Sequence, residues 1–458
     1  MLPQPFINDI TQLAQLEPRV NGLIDSLLNT PRSVAVRFNP GKLGTTPATV
    51  ANTAVGSRVP WCDNAFYLPS RPAFTLDPAL HQGLYYVQDA SSMFIAHIIK
   101  AITDRDTPVT YLDACAAPGG KSTAAIDALP HGSLVVANEW DYRRAEILRE
   151  NLIKWGYPGC VVSRGDTKRY STLRSTFDII AADVPCSGEG MMRKDAEAVA
   201  QWSPALVNEC ADRQRLILDN LWPALRPGGY LIYSTCTFNR HENEEIIEYM
   251  IEQYGAEAVN IEADRFDGIL PAIGLAAPCY RFMPHLVDGE GLFMALLRKP
   301  GNTASTRQDK LKEQLRAKLS FKLPPWMPGE LSPLLCGNTL YGILPAHRHL
   351  VDRLSAALDV IMPGVEIATL KGRDLIPSHG LALSTTLDTS LTATATVDHD
   401  TALAYLRRDT VTLPPDAPRG HLLLMHNDHP LGWVKNLGNR ANNLYPATWR
   451  ILTRLQHT

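Results

Sequence analysis

Between residues 109 and 254, short apolar runs alternate with longer amphipathic stretches, and the handovers fall on glycine, proline or an acid. The runs at 109–114, 133–138, 160–163, 177–182 and 230–234 are each a few residues long and predict strands. After the first run a Gly-Gly-Lys turn leads into a helical stretch through 129. Residues 142–155 and 204–225 carry apolar residues at helical spacing, stopping at Gly156 and at Pro227-Gly228-Gly229. An acidic helix is predicted over 241–254. Strands alternating with helices in this way predict a parallel sheet covered on both faces. Runs at 281–283 and 292–298, separated by a polar loop containing glycine, predict an antiparallel hairpin that closes the sheet. The expected fold class is α/β, with a Rossmann-like core.

The chain is 458 residues long, more than one ordinary core requires, and the flanks read differently from the middle. Residues 1–95 mix a helical segment over 7–28 with a strand-like 33–38. Residues 301–333 are polar, basic and proline-rich, which predicts a linker with one helix over 307–319. Beyond it, short strands and turn signals such as Pro414-Pro415-Asp416 predict one or two small β-rich or α+β modules. The expected divisions are 1–95, 96–300, 301–333, 334–400 and 401–458, with the role of 334–400 open. No internal repeat or low-complexity tract is present.

No apolar run approaches the ~18 residues of a membrane helix, and the first twenty residues lack a basic leader, so a cytoplasmic protein without a membrane partner is expected. The eight cysteines stand at 62, 115, 160, 186, 210, 236, 279 and 336, with no Cys-x-x-Cys pair, and no metal is expected. In a reducing compartment they are thiols. Net charge is −3 overall, but residues 1–300 carry −7 and residues 301–458 carry +4. From His429 onward the chain has Lys435, Arg440, Arg450 and Arg454, no acid, and the aromatics Trp433, Tyr445 and Trp449. That pattern suits either a nucleic-acid contact or a solvated domain face.

The run Asp113-Ala-Cys-Ala-Ala-Pro-Gly-Gly-Lys-Ser122 sits where the first strand hands over to its helix, a place where backbone amides can approach a ligand. A P-loop needs glycine where Cys115 stands, and the dinucleotide pattern G-x-G-x-x-G is absent. Glu139 closes the second strand about twenty residues on, where an acid binds ribose hydroxyls. Asp166 follows the third strand, placed for an adenine amino group, and Asp183 ends the fourth. Acids at the carboxyl ends of consecutive strands line the crevice where open parallel sheets bind ligands. A pocket with ribose and adenine acceptors and no phosphate cradle fits S-adenosylmethionine.

Two cysteines follow neighbouring strands: Asp183-Val-Pro-Cys186 after the fourth and Ser234-Thr-Cys236 after the fifth. Methyltransferases acting on exocyclic amines commonly carry Asn/Asp-Pro-Pro-Tyr/Phe at the first of these places; here a thiol stands instead of the aromatic. Carbon 5 of cytosine is too poor a nucleophile to attack a sulfonium methyl. A thiolate added to carbon 6 breaks the ring's aromaticity and makes carbon 5 enamine-like, which is covalent catalysis. Two thiols can divide the work, one attacking and one assisting release. The attacking thiol needs its pKa lowered from about 8.5, and a helix start at 239–242 is one candidate for that.

The pair Pro185-Cys186 and Thr235-Cys236, together with Cys115-Ala-Ala-Pro-Gly-Gly-Lys121, resembles the Sun (Fmu) family of RNA cytosine-carbon-5 methyltransferases. The resemblance implies a class I S-adenosylmethionine-dependent core, with Cys236 as nucleophile and Cys186 resolving the adduct. It implies that Asp183 holds the cytosine at its N3 and amino edge. It also implies cofactor contacts at Cys115, Ala116, Ala117, Pro118, Gly119, Gly120, Lys121, Glu139, Asp166 and Asp183. Gly83-Leu-Tyr-Tyr-Val-Gln-Asp-Ala-Ser-Ser92, Gly188-Glu-Gly-Met-Met-Arg-Lys194 and residues 432–450 resemble the bacterial RsmF-type branch, which modifies 16S ribosomal RNA. For that branch an N-terminal RNA-binding extension and a C-terminal PUA-like module are implied. Arg37 and Asn39 follow the family's Arg-x-Asn segment in less typical surroundings, and Arg193 and Lys194 are candidates at the rim of the site.

The expected activity is therefore methylation of carbon 5 of cytidine in small-subunit ribosomal RNA, by a monomer, on flipped or single-stranded RNA. A transfer-RNA substrate is the main alternative, since nothing in the catalytic motifs chooses. A non-catalytic RNA-binding or ribosome-assembly factor is a weaker one, because it would be marked by loss of Cys236 or of the Gly-Gly-Lys loop.

Overall fold

The computed structural model describes residues 2–302, 322–372 and 374–453. The helix predicted over 307–319, most of the 301–333 linker and Arg454 lie outside the described residues. The chain opens with helix α1 (Gln4–Leu16) and a small sheet of β1 (Val34–Phe38), β2 (Ala65–Leu68) and β3 (Tyr85–Val87), ordered β2-β1-β3. The single helix expected over 7–28 is broken: Pro18 starts a separate 3-10 turn, and Gly22 at φ +103° begins a second short helix at Leu23. Proline cannot continue the hydrogen-bond ladder, so the break follows from the sequence.

The central unit runs α2 (Phe94–Ile102), β4 (Thr110–Asp113), α3 (Gly120–Ala128), β5 (Leu134–Glu139), α4 (Tyr142–Trp155), β6 (Cys160–Arg164), β7 (Phe177–Asp183), α5 (Pro204–Leu221), β8 (Leu225–Thr235) and α6 (Glu244–Tyr254). It continues with β9 (Glu257–Ala258), β10 (Tyr280–Phe282) and β11 (Leu292–Arg298). Strands β4 to β8 are parallel, and β11 joins β8 antiparallel, with β10 paired on it as the predicted hairpin. Strand order reverses at β4, which has β5 on one side and β7 on the other, so the crevice above its carboxyl end is the topological switch point.

Two-sided burial explains why these strands read as continuous apolar runs. Along β5, Val135 and Ala137 pack into one core with Leu148 and Leu152 of α4, while Leu134 and Val136 pack into the other with Leu218 of α5. The same alternation holds in β7, where Ile179 and Ala181 face one layer and Ile180 and Ala182 the other. Caps fix the helix ends: Asp141 accepts from the Arg144 amide at the start of α4, and Ser203 from the Leu206 amide at the start of α5.

Beyond residue 331 come β12 (Ser332–Cys336), β13 (Thr339–Ile343), α7 (Arg348–Ala357), β14 (Asp359–Met362), β15 (Val365–Lys371) and β16 (Asp374–Pro377). A second sheet follows from β17 (Thr394–Thr396), with α8 (His399–Arg407), β18 (Gly420–His426), β19 (His429–Asn436) and β20 (Ala441–Asn443). Strand β14 leaves its own neighbours and pairs antiparallel with β6, completing the central sheet at that edge. The Arg164 guanidinium donates to Asp359 at 2.6 Å across this junction. The aromatics of the basic C-terminal stretch are core rather than surface. Trp433 and Tyr445 are each 1% exposed and Trp449 is half-buried, whereas Lys435, Arg440 and Arg450 are exposed. No described helix is long and apolar enough to cross a membrane.

Candidate active site

The loop between β4 and α3 is stitched to its neighbours on both sides. The Ala114 amide donates to Ala181 O, the Ala116 amide to Asn138 O, and Asn138 Nδ2 returns a bond to Ala114 O at 3.1 Å. Gly119 begins α3 at φ +108°, a left-handed conformation that an L side chain adopts only with strain. At the head of the loop, Asp113 is 1% exposed and accepts from Ser122 Oγ at 2.7 Å through Oδ2. Its Oδ1 is buried with no partner among the described residues. Burial pushes the Asp113 carboxyl up to about 7, against the downward pull of the Ser122 hydroxyl. A buried acceptor left open is a place for a ligand's donor.

The other two cofactor candidates carry local bonds. Glu139, 5% exposed, accepts from the Trp140 and Asp141 amides through Oε1, and its Oε2 lies 3.7 Å from Arg144. Arg144 also donates to Ala117 O at 2.8 Å, tying the acid to the glycine loop. Asp166 is exposed and caps a 3-10 turn through the Lys168 amide. Cys115 lies in this loop with its thiol pushed up, chiefly by burial.

Asp183 and Lys121 meet over the switch point. Lys121 Nζ is 2.9 Å from Asp183 Oδ2, while Ser234 Oγ donates to Asp183 Oδ1 at 2.7 Å. Burial works against the Lys121 ammonium, but Asp183 outweighs it and the net shift is upward, so the ammonium is held in its charged form. The parallel register places Asp183 directly beside Ser234, two residues before Cys236. The consequence is that the Cys186 and Cys236 sulfurs lie 3.2 Å apart. The Cys186 thiol is raised well above its usual range, first by its hydrogen bond to Cys236 and then by burial. The two thiols therefore share a hydrogen bond in which either sulfur can donate, with Cys186 biased toward its protonated form.

The structure thus brings Cys186, Cys236, Asp183 and Lys121 together, with Asp113 and the 115–121 loop adjoining along β4 and α3. It does not bring the 239–242 amides to bear as a helix start. Helix α6 begins at Glu244, and the Phe238 and Asn239 amides are already bound by Glu189. Arg193 and Lys194 are ion-paired with Glu290, and the Arg193 side chain is only 5% exposed, so Arg193 is a brace and not a free rim cation. The sequence reading passed over Glu189 and Glu242, buried carboxylates just after the two cysteines. A charged residue flanked by glycines, and the acid in His241-Glu-Asn-Glu244, were the available signals.

Arg37 supplies the link to the N-terminal sheet. Fully buried on β1, it pairs with Asp127 of α3, donates to Gln88 Oε1 and Thr123 O, and lies 4.6 Å from the Trp155 ring centroid. Asn39, two residues on, donates to Gly83 O and Trp155 O. The Arg-x-Asn segment therefore braces the helix that carries the glycine loop.

Three family profiles match in succession along the chain: the N-terminal domain of 16S rRNA methyltransferase RsmF over residues 2–90, 16S rRNA methyltransferase RsmB/F over 100–298, and the methyltransferase RsmF PUA domain over 393–451. Ribosomal RNA small subunit methyltransferase F of Shewanella loihica is 30% identical, covering 97% of this chain and 94% of that one. The protein of the same name from Shewanella amazonensis is 29% identical, covering 97% of each chain. Among solved structures, a methyltransferase homologue from Pyrococcus horikoshii superposes with a TM-score of 0.53 at 23% identity, covering 65% of this chain and all of that one. NSun6 from Pyrococcus horikoshii gives a TM-score of 0.54 at 19% identity, covering 64% and 98%. Both structural likenesses speak to the fold.

Proposed function

From the membership of this chain in the ribosomal RNA small subunit methyltransferase F family, within the Sun type of RNA methyltransferases, we propose that it methylates carbon 5 of a cytidine in small-subunit ribosomal RNA through a covalent adduct to Cys236. The observation that carries this reading is the pair of thiols 3.2 Å apart, beside the Lys121–Asp183 ion pair, at the carboxyl ends of adjacent parallel strands. An exocyclic-amine methyltransferase has no use for two sulfurs there.

The residues present fit S-adenosylmethionine. Asp113 offers a buried open acceptor suited to an ammonium group, and Glu139 and Asp166 stand at the next two strand ends for ribose and adenine donors. When bound, the cofactor supplies an electrophilic methyl group. The chain supplies the rest. Cys236, as thiolate, adds to carbon 6 of the cytosine, and the ring electrons move toward carbon 5, which takes the methyl. Asp183, itself accepting from Lys121 and Ser234, holds the N3 and amino edge and favours protonation of the ring as the thiolate adds. A base then removes the carbon-5 proton, the C–H electrons restore the double bond, and the carbon–sulfur bond breaks. Cys186, holding its proton against Cys236, stabilises the departing sulfur. A cytosine must leave its stack to reach these groups, so an unpaired or flipped base is the substrate.

Bisulfite sequencing of total RNA from a deletion strain and its parent tests the reading. Loss of protection at a cytosine of small-subunit ribosomal RNA supports it. A lost transfer-RNA site would replace the substrate, and unchanged protection everywhere would remove the activity.

A further inference from the structure

Each cysteine segment is held by a carboxylate that belongs to the other. Glu189 lies three residues after Cys186, yet its oxygens accept from the segment after Cys236: the Phe238 amide at 2.6 Å, the Asn239 amide at 3.0 Å and Asn239 Nδ2 at 2.9 Å. The Trp202 indole completes the set at 3.1 Å. Glu242 lies six residues after Cys236, yet it accepts from the Ser187 amide at 2.9 Å and from the Ser187 hydroxyl, next to Cys186. Gln214 and Asn239 supply its other two donors, each at 2.8 Å. The two carboxylates are 1% and 0% exposed. The segments also touch directly, since the Gly190 amide donates to Cys236 O at 2.7 Å and a Cβ at Gly190 would stand 2.8 Å from that oxygen.

We infer that Glu189 and Glu242 form a crossed clamp of positioning residues, Glu189 setting the Cys236 segment for attack and Glu242 setting the Cys186 segment for release of the adduct. The inference rests on the covalent reading above. The chemistry of the contacts supports it, because every partner is a donor. Two acceptor oxygens match this set of donors, and a carboxylate is the side chain that provides them. A glutamine at 189 turns an NH2 toward two donors in either orientation. At 242 the Ser187 hydroxyl can reorient, but Asn239 Nδ2 and the Ser187 amide cannot. Misplacing a reacting sulfur by a fraction of an ångström is costly, since rate depends steeply on approach geometry.

The two halves of the clamp act on different steps, and a fold-stabilising role alone would not separate them. Full-length wild type, C186A, E189Q, E189D, E242Q and E242D are incubated with S-adenosylmethionine and small-subunit ribosomal RNA. Covalent protein–RNA complex is read on a denaturing gel, beside single-turnover methyl transfer and thermal melting. C186A is expected to accumulate complex. E242Q should accumulate it too, several-fold over wild type, with E242D intermediate. E189Q should form complex and product roughly tenfold or more slowly without accumulation, with partial rescue in E189D. Should a glutamine variant fail to fold, its aspartate counterpart carries the comparison. Indistinguishable behaviour of the 189 and 242 variants, or wild-type behaviour in both, overturns the clamp. Absence of complex in C186A together with methyl transfer by C236A, run in the same series, would instead overturn the covalent reading itself.

Discussion

Lys121 Nζ lies 2.9 Å from Asp183 Oδ2, so the last residue of the glycine loop and the last residue of β7 neutralise each other over the sulfur pair. This single ion pair ties the glycine loop to the strand end that carries the cysteines. Lys121, whose side chain is 17% exposed, draws most of its stabilisation from that carboxylate.

Asp183→Asn keeps the Ser234 contact in one amide orientation but leaves Lys121 without its counter-ion. Methyl transfer should fall by roughly two to three orders of magnitude, the size of effect seen when one electrostatic stabiliser is removed. Melting should drop modestly, and wild-type turnover in this variant would remove Asp183 from the chemistry.

Arg37→Met leaves the buried Asp127 carboxylate with the Asn64 and Trp155 donors but without its counter-ion. Breaking a buried pair from one side costs roughly 3–5 kcal/mol, which urea unfolding would read directly. Because Asp127 belongs to α3, cofactor affinity should weaken as well. The double variant Arg37→Met with Asp127→Asn should recover part of the stability, and no recovery would mean that the guanidinium acts by packing alone.

Asp113 is held up to about 7 by burial, above its ordinary value of 3.8. The folded protein without cofactor therefore binds this proton more tightly than the unfolded chain, and its stability contribution falls as pH rises between about 4 and 7. A cationic group placed on the open oxygen requires the proton to leave. Cofactor affinity should thus rise from pH 5 to 7, with proton release detectable by calorimetry in buffers of different ionisation enthalpy. Asp113→Asn should bind more weakly and show a flat profile over that range.

His379 packs edge-on against Tyr445 and Trp449, and neither ring nitrogen has a partner among the described residues. Burial, aided by Lys154 and Lys42, pushes it down to about 3 from 6.5, and His81 nearby is pushed down to about 4. The unfolded chain takes up these protons first, so stability is full above 6.5 and is lost as pH falls below it. Each group contributes a slope of about 1.4 kcal/mol per pH unit there. His379→Gln should lower stability at pH 7 yet flatten the dependence between pH 6.5 and 5. An unchanged slope would place the acid sensitivity elsewhere.

The parallel core was legible because strands buried on both faces announce themselves as apolar runs, and the two cysteines because they follow strand ends. The α1 region was misread as one helix because its apolar spacing continued across Pro18, where the backbone could not. Glu189 and Glu242 were missed because most of their partners lie on other segments of the chain, which no local pattern encodes. Nor could the basic tail's aromatics be placed from sequence, since Trp433 and Tyr445 have the same spacing whether they face RNA or a core. The pairing of β14 with β6 joins residues nearly two hundred apart and left no trace in periodicity.

That last pairing has a temporal side. Arg164 and Asp359, which meet across β6 and β14, are 195 residues apart. At the usual pace of translation, about 5–20 residues per second, the β6 edge emerges roughly 10–40 seconds before its partner exists. During that interval the nascent protein offers bare backbone donors and acceptors to any passing strand. The catalytic sheet is thus finished late in synthesis, and its birth is a window in which a chaperone has something to hold.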